Sequence, residues 1–148
     1  MTVDDKDRLI LSELKKDARK PTKHIAQSIG IPRVTVHTRI EKMKERGVIK
    51  QFTVLTDFEK LGLPVTAYVF VSFSSNGEIS QRKLAEEIAK ISNVYEVHLI
   101  SGEWDILLKV RGKSLEEIGQ IILDELRPMK GVARTITCPC FSMVKNIV

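Results

Sequence analysis

The sequence predicts an α+β chain of two unlike units, a helical one followed by one of strands and helices, on three observations. Apolar residues recur at helical spacing in three short runs before residue 47. Beyond residue 62, four strand-like runs are interleaved with two amphipathic helices. The net charge of +5 lies wholly in the first 60 residues, which hold 14 Lys/Arg against 9 Asp/Glu, whereas residues 61–148 hold 10 of each. A chain of 148 residues has room for two small domains, and 43% apolar residues is ordinary for one that buries a core. The start, Met1 to Asp7, is charged where a secretory leader would be apolar. No apolar run approaches the roughly 20 residues that span a bilayer. A cytoplasmic protein without a membrane partner is expected.

Asp4 or Asp5 opens a first helix, placing acids at its positive end. Val3, Leu9, Ile10 and Leu14 share one face, and the residue before Pro21 is turned out of the helical region. Thr22 reads as the N-cap of a second helix over residues 23–29, with Ile25, Ala26 and Ile29 inward. Gly30 then tolerates the left-handed conformation of a sharp turn. Pro32 suits the first position of a third helix over residues 33–46, where Val36, Ile40 and Met43 fall at helical spacing. Two helices joined by a tight glycine turn, with small Ala26 four residues before the glycine, form a helix-turn-helix pattern. The third helix would then enter a groove of DNA.

Between Lys15 and Lys50, 11 basic residues stand against 3 acidic, the footprint of phosphate binding, although a solvated helix surface carries the same signature. Off its apolar face the third helix shows Arg33, Thr35, His37, Thr38, Arg39, Lys42 and Lys44. Arg can fork onto guanine, Thr can meet a thymine methyl or a phosphate, and Lys neutralises phosphate. Thr22 and Lys23, opening the second helix, complete the expected DNA-facing set. His37 has no Cys or second His at ligand spacing, so no metal is expected.

Residues 50–62 read as an extended hinge strand and linker between a first domain at 1–49 and a second at 63–148. Strands are expected at 65–73, 94–100, 104–111 and 132–144, and helices at 80–91 and 114–126. Ser80 and Ser114 are candidate N-caps, with Glu117 as a capping-box partner of Ser114. Leu84, Ile88 and Ile91 mark the inward face of one helix, and Leu115, Ile118, Ile122 and Leu126 that of the other. The order βαββαβ is that of a ferredoxin-like domain, one sheet with its helices on one face. The opposite face is too apolar for water at runs such as Val69-Phe70-Val71, so a second subunit is expected there. The loop Ser101-Gly102-Glu103-Trp104-Asp105 gathers the single tryptophan, two carboxylates and a glycine. It is either a ligand site or a hairpin whose tryptophan plugs the core. Gly119 inside a helix costs about 1 kcal/mol relative to alanine, which points to close approach of another backbone or a ligand; Leu123 lies one turn further on.

The chain resembles the leucine-responsive regulatory protein/asparagine regulator (Lrp/AsnC) family over nearly its whole length. The likeness rests on the run from Asp4 to Leu14, Ile25-Ala26, Thr35 to Ile40, Gly47 to Ile49, Leu61-Gly62, and Gly102 to Val110. The resemblance implies a DNA-binding transcription regulator whose second domain dimerises, often into octamers, and holds a small effector, usually an amino acid. It implies a pocket drawn from Leu99, Ile100, Ser101, Gly102, Glu103, Trp104 and Asp105. Gly119 and Leu123 of the last helix, with Thr135, Ile136 and Thr137 of the last strand, would come from neighbouring subunits. No cofactor is implied. The sequence departs from the family pattern at Pro32, where a serine is usual, at Trp104, where a tyrosine is usual, and at Cys138-Pro-Cys140.

Three other functions are weaker. Glu103 and Asp105 could pose as an acid/base pair, but no nucleophile or phosphate cradle accompanies them, so no enzyme is expected. A sheet that stacks single-stranded RNA would need more charge than this neutral half carries. A ligand-independent architectural DNA-binding protein would use the same helices without an effector.

Overall fold

The computed structural model describes residues 3–75 and 78–144, which fall into two compact units divided in sequence between Leu55 and Thr56. The last residues of the expected second domain, 145–148, lie outside the described residues.

The first unit holds α1 (Asp5–Lys16), α2 (Thr22–Ile29) and α3 (Arg33–Glu45). Ile10, Ile25 and Val36 are fully buried and Met43 is 1% exposed, with Leu14, Ala26 and Ile40 completing the core. Asp4 caps α1: its carboxylate accepts from the Asp7 N–H at 2.8 Å, and Asp7 reaches back to the Asp4 N–H. Leu9, expected inward, is 49% exposed, because the α1 stripe runs through Ile10 and Leu14 and leaves Leu9 beside it. Thr22 is not a cap but the first residue of α2; Pro21 holds the N-cap position without a side-chain bond. At the turn Gly30 takes φ 68°, and the Ile31 N–H donates to the Ala26 carbonyl at 3.2 Å, closing the six-residue loop that ends α2.

The expected hinge strand is not formed: no strand covers residues 50–62. An extended segment becomes a strand only by pairing, and these residues have no ladder partner among the described residues of the chain. Their second half belongs instead to the second unit. Asp57 accepts the Glu59 and Lys60 N–H groups and folds a turn, from which the Phe58 ring covers the Arg111 guanidinium at 3.7 Å.

The second unit is a four-stranded antiparallel sheet of β1 (Val65–Phe73), β2 (Val94–Leu99), β3 (Ile106–Gly112) and β4 (Val132–Pro139) in the order β2-β3-β1-β4. With α4 (Gln81–Ile88) and α5 (Leu115–Gln120), this is the expected ferredoxin-like arrangement. Alternate residues Ala67, Val69, Val71, Ile106, Leu108 and Val110 are fully buried beneath the helices, the period-two signature of a sheet covered on one face. Ser80 and Ser114 cap α4 and α5 as expected. Glu117 differs in detail, since its carboxylate accepts from the Lys113 N–H, one residue further back than a capping box requires.

α5 continues into a wider, π-type turn over Ile121–Leu126, where the Arg127 N–H donates to the Ile122 carbonyl at 2.9 Å. The extra residue brings Ile121 inward with Ile118, Ile122 and Leu126. Leu115, expected inward, is 55% exposed and Leu123 56%, both outside that buried stripe.

Gly131 sits at φ 92°, and a methyl group there would lie 2.9 Å from both Ile79 Cγ2 and Phe73 Cε2. Gly131→Ala is expected to destabilise the chain by about 1–3 kcal/mol, the scale of one residue held in a sparsely populated backbone region. Urea unfolding checks it, and an unchanged midpoint would contradict the packing described.

Candidate functional site

The outward face of α3 carries Arg33, His37, Thr38 and Lys42, all exposed, with half-buried Thr35 among them and exposed Lys23 on α2. The Arg33 Nε–H donates to Thr22 Oγ1 at 3.4 Å, so the starts of α2 and α3 lie side by side. Neither start has a side-chain cap or an acid in its first turn, which leaves two positive helix ends uncompensated. Lys44 is less available than its place on α3 implied, since Glu41 accepts from it at 3.1 Å. Val34, 76% exposed in the first turn of α3, went unnoticed in the sequence. The available signal was an apolar residue out of phase with Val36, Ile40 and Met43.

Arg39, expected to face DNA, has partners within the first unit. Its Nη1 donates to Asp4 Oδ2 at 2.7 Å and to Asp7 Oδ1 at 2.8 Å, and Asp7 is only 5% exposed. The guanidinium is thus turned toward the start of α1 instead of projecting freely. The Asp7 backbone N–H, with Arg39 adding to it, holds the Asp4 carboxyl below the usual carboxylate range. Bonds to Asp7 and Asp4 in turn raise the pKa of Arg39.

In the second unit the loop between β2 and β3 is anchored through Asp105. Its N–H donates to the Val71 carbonyl at 3.0 Å and its carbonyl accepts from Ile100 at 2.9 Å and from Gln81 Nε2 at 3.0 Å. Its Oδ2 accepts from the Phe73 N–H at 2.7 Å. Ser101, Gly102 and Glu103 stand exposed above this anchor, and so does Leu99 at the end of β2; Ile100 is half-buried. Trp104 does not plug the core. It lies half-buried on the helix-free face, its ring 6.1 Å from that of Phe70, with the Arg134 guanidinium 4.6 Å above it. Arg134 also comes within 3.5 Å of Glu103, so β4 reaches the loop across β1. Sequence reasoning missed Arg134, because its contacts join residues 30 and more apart in the chain.

Thr135, opposite Val71 on β4, accepts from Arg127 Nε at 3.0 Å, while Ile136 and Thr137 are exposed. Gly119 is half-buried and Leu123 exposed on α5 and its extension; a methyl group on Gly119 would meet nothing within 4 Å. The close approach expected at Gly119 is therefore not made among the described residues. Cys138 and Cys140 are free thiols, the first exposed beside Tyr68 on the helix-free face.

Comparisons with known proteins agree with this division. Residues 3–50 match the winged helix-turn-helix DNA-binding family, and residues 66–147 match the Lrp/AsnC ligand binding domain. A helix-turn-helix regulator of Pyrococcus furiosus is 45% identical over 97% of this chain and 96% of its own. Among solved structures, B. subtilis LrpC superposes with a TM-score of 0.85 at 29% identity, covering 98% of this chain and 99% of that one. A Neisseria meningitidis transcriptional regulator, solved as its L-methionine complex, shares the fold with a TM-score of 0.91 at 21% identity, over 99% of this chain and 94% of that one. The molecule is thus a DNA-binding transcriptional regulator with a separate ligand-binding domain. The chain belongs to the Lrp/AsnC family.

Because the sequence has one tryptophan, the loop carries its own reporter. Arg134→Ala is expected to raise acrylamide quenching of Trp104 fluorescence, since the guanidinium covers one ring face. Unchanged quenching would contradict the stacking.

Proposed function

We propose that α3 enters the major groove of duplex DNA, with Arg33, Thr35, His37 and Thr38 toward base edges and Thr22, Lys23 and Lys42 toward phosphates. The observation that carries this reading is the outward face of α3, where exposed cations and hydroxyls stand beside two uncapped helix starts. Exposed Val34 adds an apolar surface suited to a thymine methyl.

Two copies pair through the helix-free sheet face, and dimers assemble further, to octamers. Tyr68, Phe70 and Leu107 share that face, and Ile136 beside them is 47% exposed. A single recognition helix makes too few contacts for tight operator binding, which a pair on successive turns of DNA supplies.

The effector is an amino acid held at residues 99–105. Its carboxylate would meet backbone N–H groups near Gly102, and its ammonium would meet Asp105, whose Oδ1 has no partner among the described residues. Gly119, Leu123 and Thr135 to Thr137 join from a neighbouring copy. The N. meningitidis relative, solved with L-methionine, supports this class of ligand. A protein that recognises promoter DNA and an amino acid works in the cytoplasm.

Lys42→Ala is expected to weaken binding evenly across DNA sequences and to lower the slope of log K against log salt by about one, the loss of a single phosphate contact. An unchanged slope would remove Lys42 from the interface. A thermal-shift series with the twenty amino acids is expected to find at least one that stabilises the protein, and Asp105→Ala to abolish that shift while DNA binding persists. No stabiliser at all would favour an architectural DNA-binding protein, and an undiminished shift in Asp105→Ala would move the pocket elsewhere.

A further inference from the structure

We propose that Arg39 is a positioning residue of the DNA-binding unit: with Asp4 and Asp7 it locks α3 to the capped start of α1, and its guanidinium is held off the DNA. This rests on α3 being the element that meets DNA.

The apolar contacts of α3 run through Val36, Ile40 and Met43, and apolar packing is non-directional. It fixes how deep the helix sits more firmly than its rotation or axial register. Two charge-assisted hydrogen bonds from one nitrogen, at 2.7 and 2.8 Å, fix both, joining residues 35 and 32 apart in sequence. The Asp7 carboxylate is also committed. One oxygen closes the capping box at 3.3 Å and the other holds Arg39, so the box and the interhelical bond share one buried group.

An aspartate at this third helical position, where capping boxes favour Glu or Gln, keeps the carboxylate close to the cap and within reach of Arg39. The placement is otherwise unfavourable for DNA binding. Asp4 and Asp7 line the same groove as Thr35, Thr38 and Lys42, so two carboxylates stand beside residues proposed to face DNA. Arg39 offsets that charge while holding the helix.

The experiment measures affinity at several salt concentrations for two duplexes of equal length: one that the wild-type protein selects from a random-sequence pool, and a scrambled one. Asp4→Asn is the informative variant, because asparagine caps as well as aspartate but loses the ion pair. Asp7→Asn and Arg39→Ala complete the set, and Lys42→Ala reports whether α3 meets phosphates at all. Positioning by Arg39 is expected to lower the preference for the selected duplex roughly tenfold, the scale of one lost base contact, in Arg39→Ala and in both Asn variants. Binding to the scrambled duplex follows the local charge instead, rising in the two Asn variants and falling in Arg39→Ala.

If Arg39 instead grips DNA, the preference for the selected duplex stays at or above the wild-type value in Asp4→Asn and Asp7→Asn, which free it, and falls only in Arg39→Ala. That pair of results overturns the proposal. A merely structural role lowers the folded fraction and leaves the preference of the folded protein unmoved, which also overturns it. If Lys42→Ala leaves slope and affinity untouched, the placement of DNA on α3 fails first, and the inference falls with it.

Discussion

Of the thirteen residues of α3, Val36, Ile40 and Met43 are buried. That narrow stripe is the constraint from which the rest of the first unit follows. It leaves most of the helix circumference free, which is what a helix must offer to lie in a groove of DNA. It also leaves the helix loosely specified by packing alone. The turn at Gly30 fixes one end by joining α3 closely to α2, and the Asp4–Arg39–Asp7 bonds fix its flank against α1. A wider apolar stripe would hold α3 more firmly but would consume the surface proposed to meet DNA.

The second unit meets a similar demand with a sheet. One face is sealed by helices, down to full burial of six alternating side chains on β1 and β3. The other carries Tyr68, Phe70, Leu107 and Ile136, and no helix among the described residues covers it. At one end of that face Arg111 is 8% exposed, lies beneath Phe58, and bonds to Thr66 Oγ1 at 3.0 Å. This stacking secures the turn at residues 57–62 to the sheet. At the other end Trp104 sits under Arg134. The loop expected to bind the effector is therefore part of the helix-free face, not an appendage to the core.

Elements governed by local periodicity were legible in the sequence. The nine-residue strand Val65–Phe73 was expected at those bounds, and the serine caps of α4 and α5 followed from hydroxyls preceding apolar runs. Leu9, Leu115 and Thr22 were misread because each lies within a residue or two of a helix stripe or cap, where periodicity cannot choose between neighbours. The π-type turn after Gln120 leaves no compositional trace. Arg39 was placed on the correct helix, but its partners lie more than 30 residues away and no spacing rule reaches them. Arg111 and Arg134 were invisible for the same reason. Gly119 and Leu123 are a different case, since their expected role depends on a surface that one chain does not supply.

The central claim is that duplex DNA lies against α2 and α3. Lysine acetylation measured by mass spectrometry at low salt, with and without a duplex the protein binds, tests it most directly. Lys23 and Lys42 are expected to lose reactivity on adding DNA, while Lys83, Lys90 and Lys130 of the ligand-binding domain keep theirs. Protection confined to that second set, or none at any lysine under conditions where the DNA is bound, would contradict the account.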